Sequence, residues 1–297
     1  MSSNALNWYR KMGYDEFYSD RPVNRLRDHQ QEVDTSMIGA DVVINTEASA
    51  PSTAAMNADR AMPLSAMNNT QMHLRVAAVG TNLRSIPKRL GSMGPSRQLA
   101  SACDSLDALY LAIREFTGCE LKKSATNTVI FDGNQSSEIM LIGEAPGATE
   151  DEKGIPFCGQ SGKLLDNIIA SIGLDRTMTY ITNTVFWRPP GNRRPTKEEL
   201  AICSPFVEKH IALIKPKLII MVGSTAVESL LNVTQPITQL RRKYFDYTNE
   251  YLNGPIKTTA IFHPSYLLRQ QSQKKLMWFD MMGILEFITS LERPIVR

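Results

Sequence analysis

The sequence predicts an α/β protein: a three-layer α/β/α domain around a central, mostly parallel sheet of four strands. Two observations lead to this prediction. From about residue 101, strand-sized apolar runs alternate four times with segments of helical periodicity, an order typical of a parallel sheet with helices on both faces. Hydrophobic residues make up 42% of the 297 residues, which is enough for a packed core.

The elements follow one another in a regular order. Apolar residues at helical spacing predict a first helix over about residues 106–116. Strands are predicted at 139–142, 180–187, 217–223 and 258–263, and the helices that follow them at 163–172, 196–214, 224–231 and 274–291. Thr196 and Glu199 form a capping box at the start of the 196–214 helix.

The first 98 residues differ in composition from the rest. Residues 1–33 contain a short amphipathic segment, which is either a docking peptide for a protein partner or a helix that packs on its own domain or frays. Much of 34–98 is rich in small and polar residues, so we interpret it as a disordered or irregular linker. Residues 99–297 are expected to form the α/β catalytic domain.

Composition excludes several classes of protein. No apolar run approaches the roughly 20 residues of a membrane span, and the N-terminus lacks the pattern of a secretory signal. The four cysteines have no paired spacing, which favours a reducing cytoplasm over a disulfide scaffold. The net charge of +3 neither requires nor excludes nucleic-acid binding. We therefore expect a cytoplasmic monomer with no membrane partner.

Ligands of such sheets bind beyond the carboxyl ends of the strands. The first predicted strand is followed by a glycine-rich loop that runs from Gly143 to a helix start near Ser161. The loop is either an anion site or a plain turn, and its spacing matches neither a Walker loop nor a dinucleotide fingerprint.

The second and fourth strands also end in polar residues. Asn183 lies among apolar neighbours in the second strand, and the basic, proline-rich turn 188–195 follows it. That turn is either a phosphate contact or a solvated loop. The fourth strand ends at His263, which Pro264 keeps out of the helical region.

Four side chains are thus expected at one edge of the sheet: Glu144, Phe157, Asn183 and His263. Together they suit a flat heterocycle, because the ring can stack on the aromatic face while the amide pairs with its edge. The imidazole can stabilise charge on a ring oxygen, and the carboxylate can orient water or steady a cation.

These residues resemble family 4 uracil-DNA glycosylase over roughly residues 115–290. The matching pieces are Gly143-Glu-Ala-Pro-Gly, Gly154-x-Pro-Phe157, Ser161-Gly-x-Leu-Leu-Asp166, Asn183, Arg188-Pro-Pro-Gly-Asn192-Arg and His263-Pro-x-Tyr-Leu-Leu-Arg269. The resemblance implies a monofunctional glycosylase that hydrolyses the N-glycosidic bond of uracil in DNA and so initiates base excision repair. The nucleotide would be flipped out of the stack into a tight pocket.

The resemblance also implies a role for each matching residue. Phe157 would stack on uracil, Asn183 would pair with its edge, and Glu150 would exclude thymine. His263 would donate to the departing base, and Glu144 would lie beside the attacking water. The loop 264–269 resembles a wedge that enters DNA, with Leu267 or Leu268 filling the gap. Implied substrate contacts further include Gly143 and Ala145, and implied DNA contacts include Arg188, Asn192, Arg193, Ser265, Arg269, Lys274 and Lys275.

One departure concerns a metal cofactor. Members of the family typically hold an iron–sulfur cluster on four cysteines. Cys119 and Cys203 match two of these positions, but Phe116 and Trp187 occupy the other two. Because two thiolates cannot complete the cage, we expect no cofactor and an apolar filling of the space. A retained [4Fe-4S] cluster is the alternative.

Two other classes of function remain open. One is a binding relative that recognises uracil or abasic DNA but turns over poorly. The other is an α/β enzyme that uses the glycine-rich loop for a free nucleotide. The first would bind DNA without releasing uracil, and the second would bind a mononucleotide without dependence on salt.

Overall fold

The molecule is described by a computed structural model over residues 94–291. The predicted N-terminal segment 1–33 and nearly all of the predicted linker 34–98 lie outside the described residues. Within residues 94–291, no helix is long and apolar enough to cross a membrane.

A six-stranded mixed sheet forms the centre of the domain, in the order β1-β3-β2-β4-β6-β5. The strands β3, β2, β4 and β6 are parallel, and the edge strands β1 and β5 are antiparallel to their neighbours. The strands are β1 (Phe131–Gly133), β2 (Ile139–Gly143), β3 (Tyr180–Asn183), β4 (Leu218–Val222), β5 (Tyr244–Tyr247) and β6 (Ile256–Ile261).

The α/β class and the four parallel strands are as the sequence predicts, but the count of four strands is wrong. The two additional strands have three and four residues and are partly exposed to solvent. Neither contains the continuous apolar run that a strand buried on both faces shows, so their sequences do not predict strands. The second predicted strand is also too long, since β3 ends at Asn183.

Helices and single turns connect the strands. The α-helices are α1 (Pro95–Ala102), α2 (Leu106–Glu115), α3 (Leu121–Ser124), α4 (Ala148–Lys153), α5 (Gln160–Ala170), α6 (Lys197–Ile214), α7 (Ser224–Leu231), α8 (Ile237–Leu240), α9 (Pro264–Arg269) and α10 (Lys274–Ser290). Short 3₁₀ turns occur at Arg176–Met178, Pro190–Asn192 and Gln271–Gln273. The predicted capping box is present, with the Glu199 amide 3.2 Å from the Thr196 hydroxyl.

The helix α1 begins within the last residues of the predicted linker. Its Arg97 forms a salt bridge of 3.1 Å with Glu208 on α6 and a second one with Glu250. The folded domain therefore includes residues from Pro95 onward rather than from residue 99.

Both faces of the sheet are covered. Along β2, Ile139 and Leu141 point into one hydrophobic core, with side chains of α5 and α10. Met140 and Ile142 point into the other, with side chains of α2 and α6. This alternation follows from the two-residue period of a strand, and the two covered faces explain why every residue of β2 is buried.

The register of the parallel strands determines where the polar residues meet. Gly143 at the end of β2 pairs with Asn183 at the end of β3, and Ile261 at the end of β6 pairs with Val222 of β4. The residues that follow these ends, including Glu144 and His263, therefore lie at one edge of the sheet.

Candidate active site

The residues expected to bind a base line one cavity at this edge, with a volume of about 450 Å³. Such a volume lies in the range of small-molecule sites. The cavity is lined by six of the predicted substrate and catalytic residues: Glu144, Ala145, Glu150, Phe157, Asn183 and His263. It is also lined by four of the predicted DNA contacts: Asn192, Arg193, Ser265 and Arg269. Gly143 does not line the cavity and instead lies beneath Phe157 and Asn183.

Phe157 forms the aromatic wall and is held in an unusual backbone conformation. It is buried, and its φ of 52° falls in the left-handed region. A Cβ on Gly143 would lie 2.4 Å from Phe157 Cζ, and one on Gly162 would lie 1.6 Å from the Phe157 carbonyl oxygen. Only glycine at these two positions lets the backbone approach the ring and its carbonyl so closely.

Arg176 holds this backbone in place. Its guanidinium donates to the carbonyls of Phe157 and Pro156, the latter at 3.2 Å. It also forms salt bridges with Asp132 at 2.5 Å and Asp166 at 2.8 Å. Sequence reasoning missed Arg176, because a single arginine in a turn gives no signal of what it contacts.

Asn183 presents a buried amide to the cavity. The side chain is 1% exposed, and its Oδ1 has no hydrogen-bond partner within residues 94–291. A buried acceptor without a partner is destabilising by about 1–3 kcal/mol. A ligand with an N–H group at this point would relieve that penalty.

His263 presents one ring nitrogen to the cavity in a defined state. Its Nδ1 accepts the backbone N–H of Ser265 at 3.1 Å, so in the neutral ring the proton lies on Nε2. Burial, with a smaller contribution from the charge of Arg269, lowers the pKa of His263 to about 4. The imidazole is therefore neutral at pH 7, and its ring centroid lies 5.8 Å from that of Phe157.

Glu144 follows β2 directly and is tied to two neighbouring segments. The Thr184 hydroxyl donates to its backbone carbonyl at 2.6 Å. The Thr225 hydroxyl, in the first turn of α7, donates to its Oε2. Thr225 was not singled out from the sequence, since threonine near a helix start is common and shows no partner.

Glu150 connects the two ends of the glycine-rich loop. Its Oε2 accepts from the Gly147 amide at 3.1 Å, and its Oε1 accepts from the Gly159 amide at 2.8 Å. Both carboxylate oxygens are thus engaged by backbone groups while the side chain lines the cavity. The loop is a built wall of the site and not a plain turn.

Three arginines predicted to contact DNA differ in their partners within the domain. Arg193 forms a two-pronged salt bridge with Glu199, at 2.7 and 2.9 Å, and Arg188 donates to Asn192 at 2.6 Å. Arg269 is exposed at the cavity mouth.

Two of the predicted DNA contacts are contradicted by burial. Leu267 is fully buried in the core between the sheet, α5 and α10, so it cannot fill a gap in DNA. Leu268 is the partly exposed member of that pair. Lys274 is only 5% exposed and its burial lowers its pKa, whereas Lys275 is exposed.

Comparison with known proteins agrees with this site. The family model described as the uracil DNA glycosylase superfamily matches residues 130–282. The chain belongs to this superfamily. It is 38% identical to the type-4 uracil-DNA glycosylase of Archaeoglobus fulgidus over 169 residues, which are 56% of this chain and 84% of that protein.

Two further relatives carry the same name. The type-4 uracil-DNA glycosylase of Thermotoga maritima is 38% identical over 54% of this chain and 82% of its own length. That of Sulfurisphaera tokodaii is 34% identical over 64% of this chain and 88% of its own length. This member of the superfamily is accordingly a monofunctional glycosylase that excises uracil from DNA, and the binding-only alternative is not favoured.

The expectation of no cofactor is wrong. The relatives are type-4 enzymes, and the resemblance to that class implies an iron–sulfur cluster. Within residues 94–291, no group of three or more His, Cys, Asp or Glu side chains is placed to hold a metal ion. The two matching thiols supply half of a four-cysteine cage, so the ligand set among the described residues is incomplete.

The two matching cysteines nevertheless lie together. Cys119 and Cys203 are both buried, and a hydrogen bond from Cys203 lowers the pKa of Cys119 to about 7. Phe116 and Trp187 belong to the same hydrophobic core, with ring centroids 6.4 Å apart.

Proposed function

We propose that the cavity binds a uracil flipped out of DNA and that Asn183, His263 and Glu144 carry its release. The observation that carries this proposal is the buried Oδ1 of Asn183, which lacks a partner among the described residues and belongs to a side chain that lines the cavity beside Phe157. Uracil fits this arrangement, since it is a flat ring with adjacent N–H and C=O groups on one edge.

Asn183 and Glu150 would select the base. The amide oxygen accepts from the N3–H of uracil while its NH₂ donates to O4. Cytosine offers an acceptor and a donor in the reverse order, so it would leave buried groups unpaired, and such mismatches discriminate strongly. Glu150, fixed by two backbone amides, would crowd the C5 side of the ring and exclude the methyl group of thymine.

His263 would stabilise the departing base. As the bond between C1′ and N1 breaks, its electron pair leaves on uracil, and negative charge develops on the ring oxygens. The Nε2–H of the neutral imidazole can donate to one of these oxygens. A donor already oriented towards developing charge is among the largest contributions to catalysis.

Glu144 would act on the attacking water and on the sugar. Its carboxylate can orient a water for attack on C1′ and steady the positive charge of the sugar. The water oxygen then bonds to C1′, and the carboxylate takes a proton from it. Among residues 94–291 no lysine lines the cavity, which supports release of the base by hydrolysis over release through a Schiff base.

The surface around the mouth would hold DNA. Ser265, Arg269 and Asn192 line the cavity and would contact the phosphate backbone, and Leu268 is the remaining candidate for the space left by the flipped nucleotide. We further propose that the protein acts as a cytoplasmic monomer.

A labelled oligonucleotide with one uracil tests this proposal. Alkali cleaves the strand wherever uracil has been removed, so the wild-type chain should give uracil-dependent cleavage. We expect His263→Ala and Asn183→Ala to release uracil at least about 100-fold more slowly. Thr259→Val serves as the control, since Thr259 does not line the cavity. Wild-type rates in both cavity variants would refute the proposed roles.

A further inference from the structure

The Glu144 carboxylate is held by a chain of polar groups that extends away from the cavity. Thr225 donates to Glu144 Oε2 and accepts from Arg194 Nε at 2.8 Å. Arg194 in turn donates to Glu228 at 2.7 Å. A hydroxyl has a single proton, and the bond from Arg194 occupies a lone pair, so the proton of Thr225 is directed at Glu144.

The threonine side of this contact is buried, and the main chain of Glu144 is held by a second hydrogen bond. Thr225 is 1% exposed. The carbonyl of Glu144 accepts from the Thr184 hydroxyl at 2.6 Å, so the backbone has little freedom. The position of the carboxylate then depends on the torsions of the side chain, and the bond to Thr225 is what selects among their staggered rotamers.

We propose that Thr225 is a positioning residue for uracil release: its hydroxyl holds Oε2 of Glu144 so that Oε1 is directed at the attacking water. This inference rests on the role proposed above for Glu144. Thr225 touches neither base nor water, and it acts on the chemical step alone. Displacing a reacting group by about 1 Å can slow a reaction about 100-fold.

Thr225→Val is the direct test, since it keeps the shape of the side chain and removes the hydroxyl. We expect the single-turnover rate of uracil release to fall about 10- to 100-fold, with the Kd for uracil-containing DNA within about twofold of wild type. Thr225→Ser restores the hydroxyl and should recover the rate to within about threefold. Should the valine variant not fold, Thr225→Ala, which adds no atoms, replaces it.

The matched control is Thr259→Val. Thr259 is also a buried threonine, its hydroxyl donates to the Lys243 carbonyl at 2.9 Å, and neither residue lines the cavity. It should release uracil at the wild-type rate. An equal loss of rate in Thr225→Val and Thr259→Val would overturn the proposal, because the loss would then reflect only a missing buried hydrogen bond.

A double-mutant cycle with Glu144→Gln separates this inference from the proposed function. If Thr225 acts through Glu144, adding Thr225→Val to Glu144→Gln should change the rate by less than about twofold. A full further loss in the double variant, or a wild-type rate for Thr225→Val beside a slow Glu144→Gln, would overturn the inference alone. A wild-type rate for Glu144→Gln would overturn the role of Glu144 and that of Thr225 with it.

Discussion

Replacing His210 by phenylalanine should make the folded protein less sensitive to acid. His210 lies on α6, is fully buried, and neither of its ring nitrogens has a hydrogen-bond partner in residues 94–291. Its neighbours are the rings of Tyr110, Tyr180 and Phe186, with centroids 5.6 to 6.1 Å away. Burial among these rings lowers the pKa of His210 from 6.5 to about 3.

The size of the effect follows from proton linkage. Between pH 6.5 and about pH 3 the unfolded chain binds a proton at this histidine and the folded chain does not, so the free energy of unfolding falls as the pH falls. At pH 5 the pH lies about 1.5 units below the unfolded-state pKa of 6.5. At about 1.4 kcal/mol per unit, the free energy of unfolding is lower by about 2 kcal/mol. At pH 7.5 it is close to zero.

Urea unfolding at pH 7.5 and pH 5.0 measures this loss. We expect wild type to lose about 2 kcal/mol more than His210→Phe between the two values. The pKa of His263 is also lowered, to about 4, but this contribution is common to both proteins and cancels in the comparison. Equal losses in the two proteins would show that His210 is charged in the folded state or becomes hydrated, and would refute the reasoning.

Three further outcomes follow from the site. Gly143→Ala should lower kcat/KM for uracil release at least about 10-fold, since its methyl would lie 2.4 Å from Phe157 Cζ; a wild-type value would mean that the ring can move aside. Leu267→Ala should lower the free energy of unfolding by about 2–5 kcal/mol because Leu267 lies in the core. Leu268→Ala should reduce DNA affinity with little change in stability. The reverse pattern would contradict the assignment of Leu267 to the core and Leu268 to the DNA contact. Because the pKa of His263 is about 4, its imidazole stays neutral from pH 5.5 to 8, and the rate of uracil release should show no titration of His263 in this range. A wild-type pH–rate profile with a midpoint near 6.5 that is absent in His263→Gln would contradict a neutral donor.

The parallel strands of the fold were predictable because burial of a strand on both faces requires a continuous apolar run, which is visible in the sequence. A strand covered on both faces must be apolar throughout, as β2 and β4 are, and helices between such strands carry their own period. The edge strands leave no such trace. Phe131–Gly133 pairs along one side only and remains partly exposed, so its sequence does not differ from that of a loop.

The residues that face the cavity were predictable for a related reason. The ends of parallel strands converge, so polar residues just after apolar runs are candidates for one site. Burial within a short helix is not fixed by that rule. Leu267 and Leu268 are adjacent leucines on α9, and only their orientation against α5 and α10 decides that the first lies in the core.

The supporting contacts of the site come from elements that strand-end reasoning does not examine. Phe157 is held by Arg176 from a 3₁₀ turn, and Glu144 is held by Thr225 from α7. His263 is held by the backbone of Ser265 in its own helix. Phe157, Glu144 and His263 therefore each have an orientation fixed by a partner outside the reacting set. Such prior orientation is what allows polar groups to stabilise developing charge without reorganising. It follows that substitutions at Arg176 and Thr225, which act through their side chains, should slow the chemical step more than they weaken DNA binding.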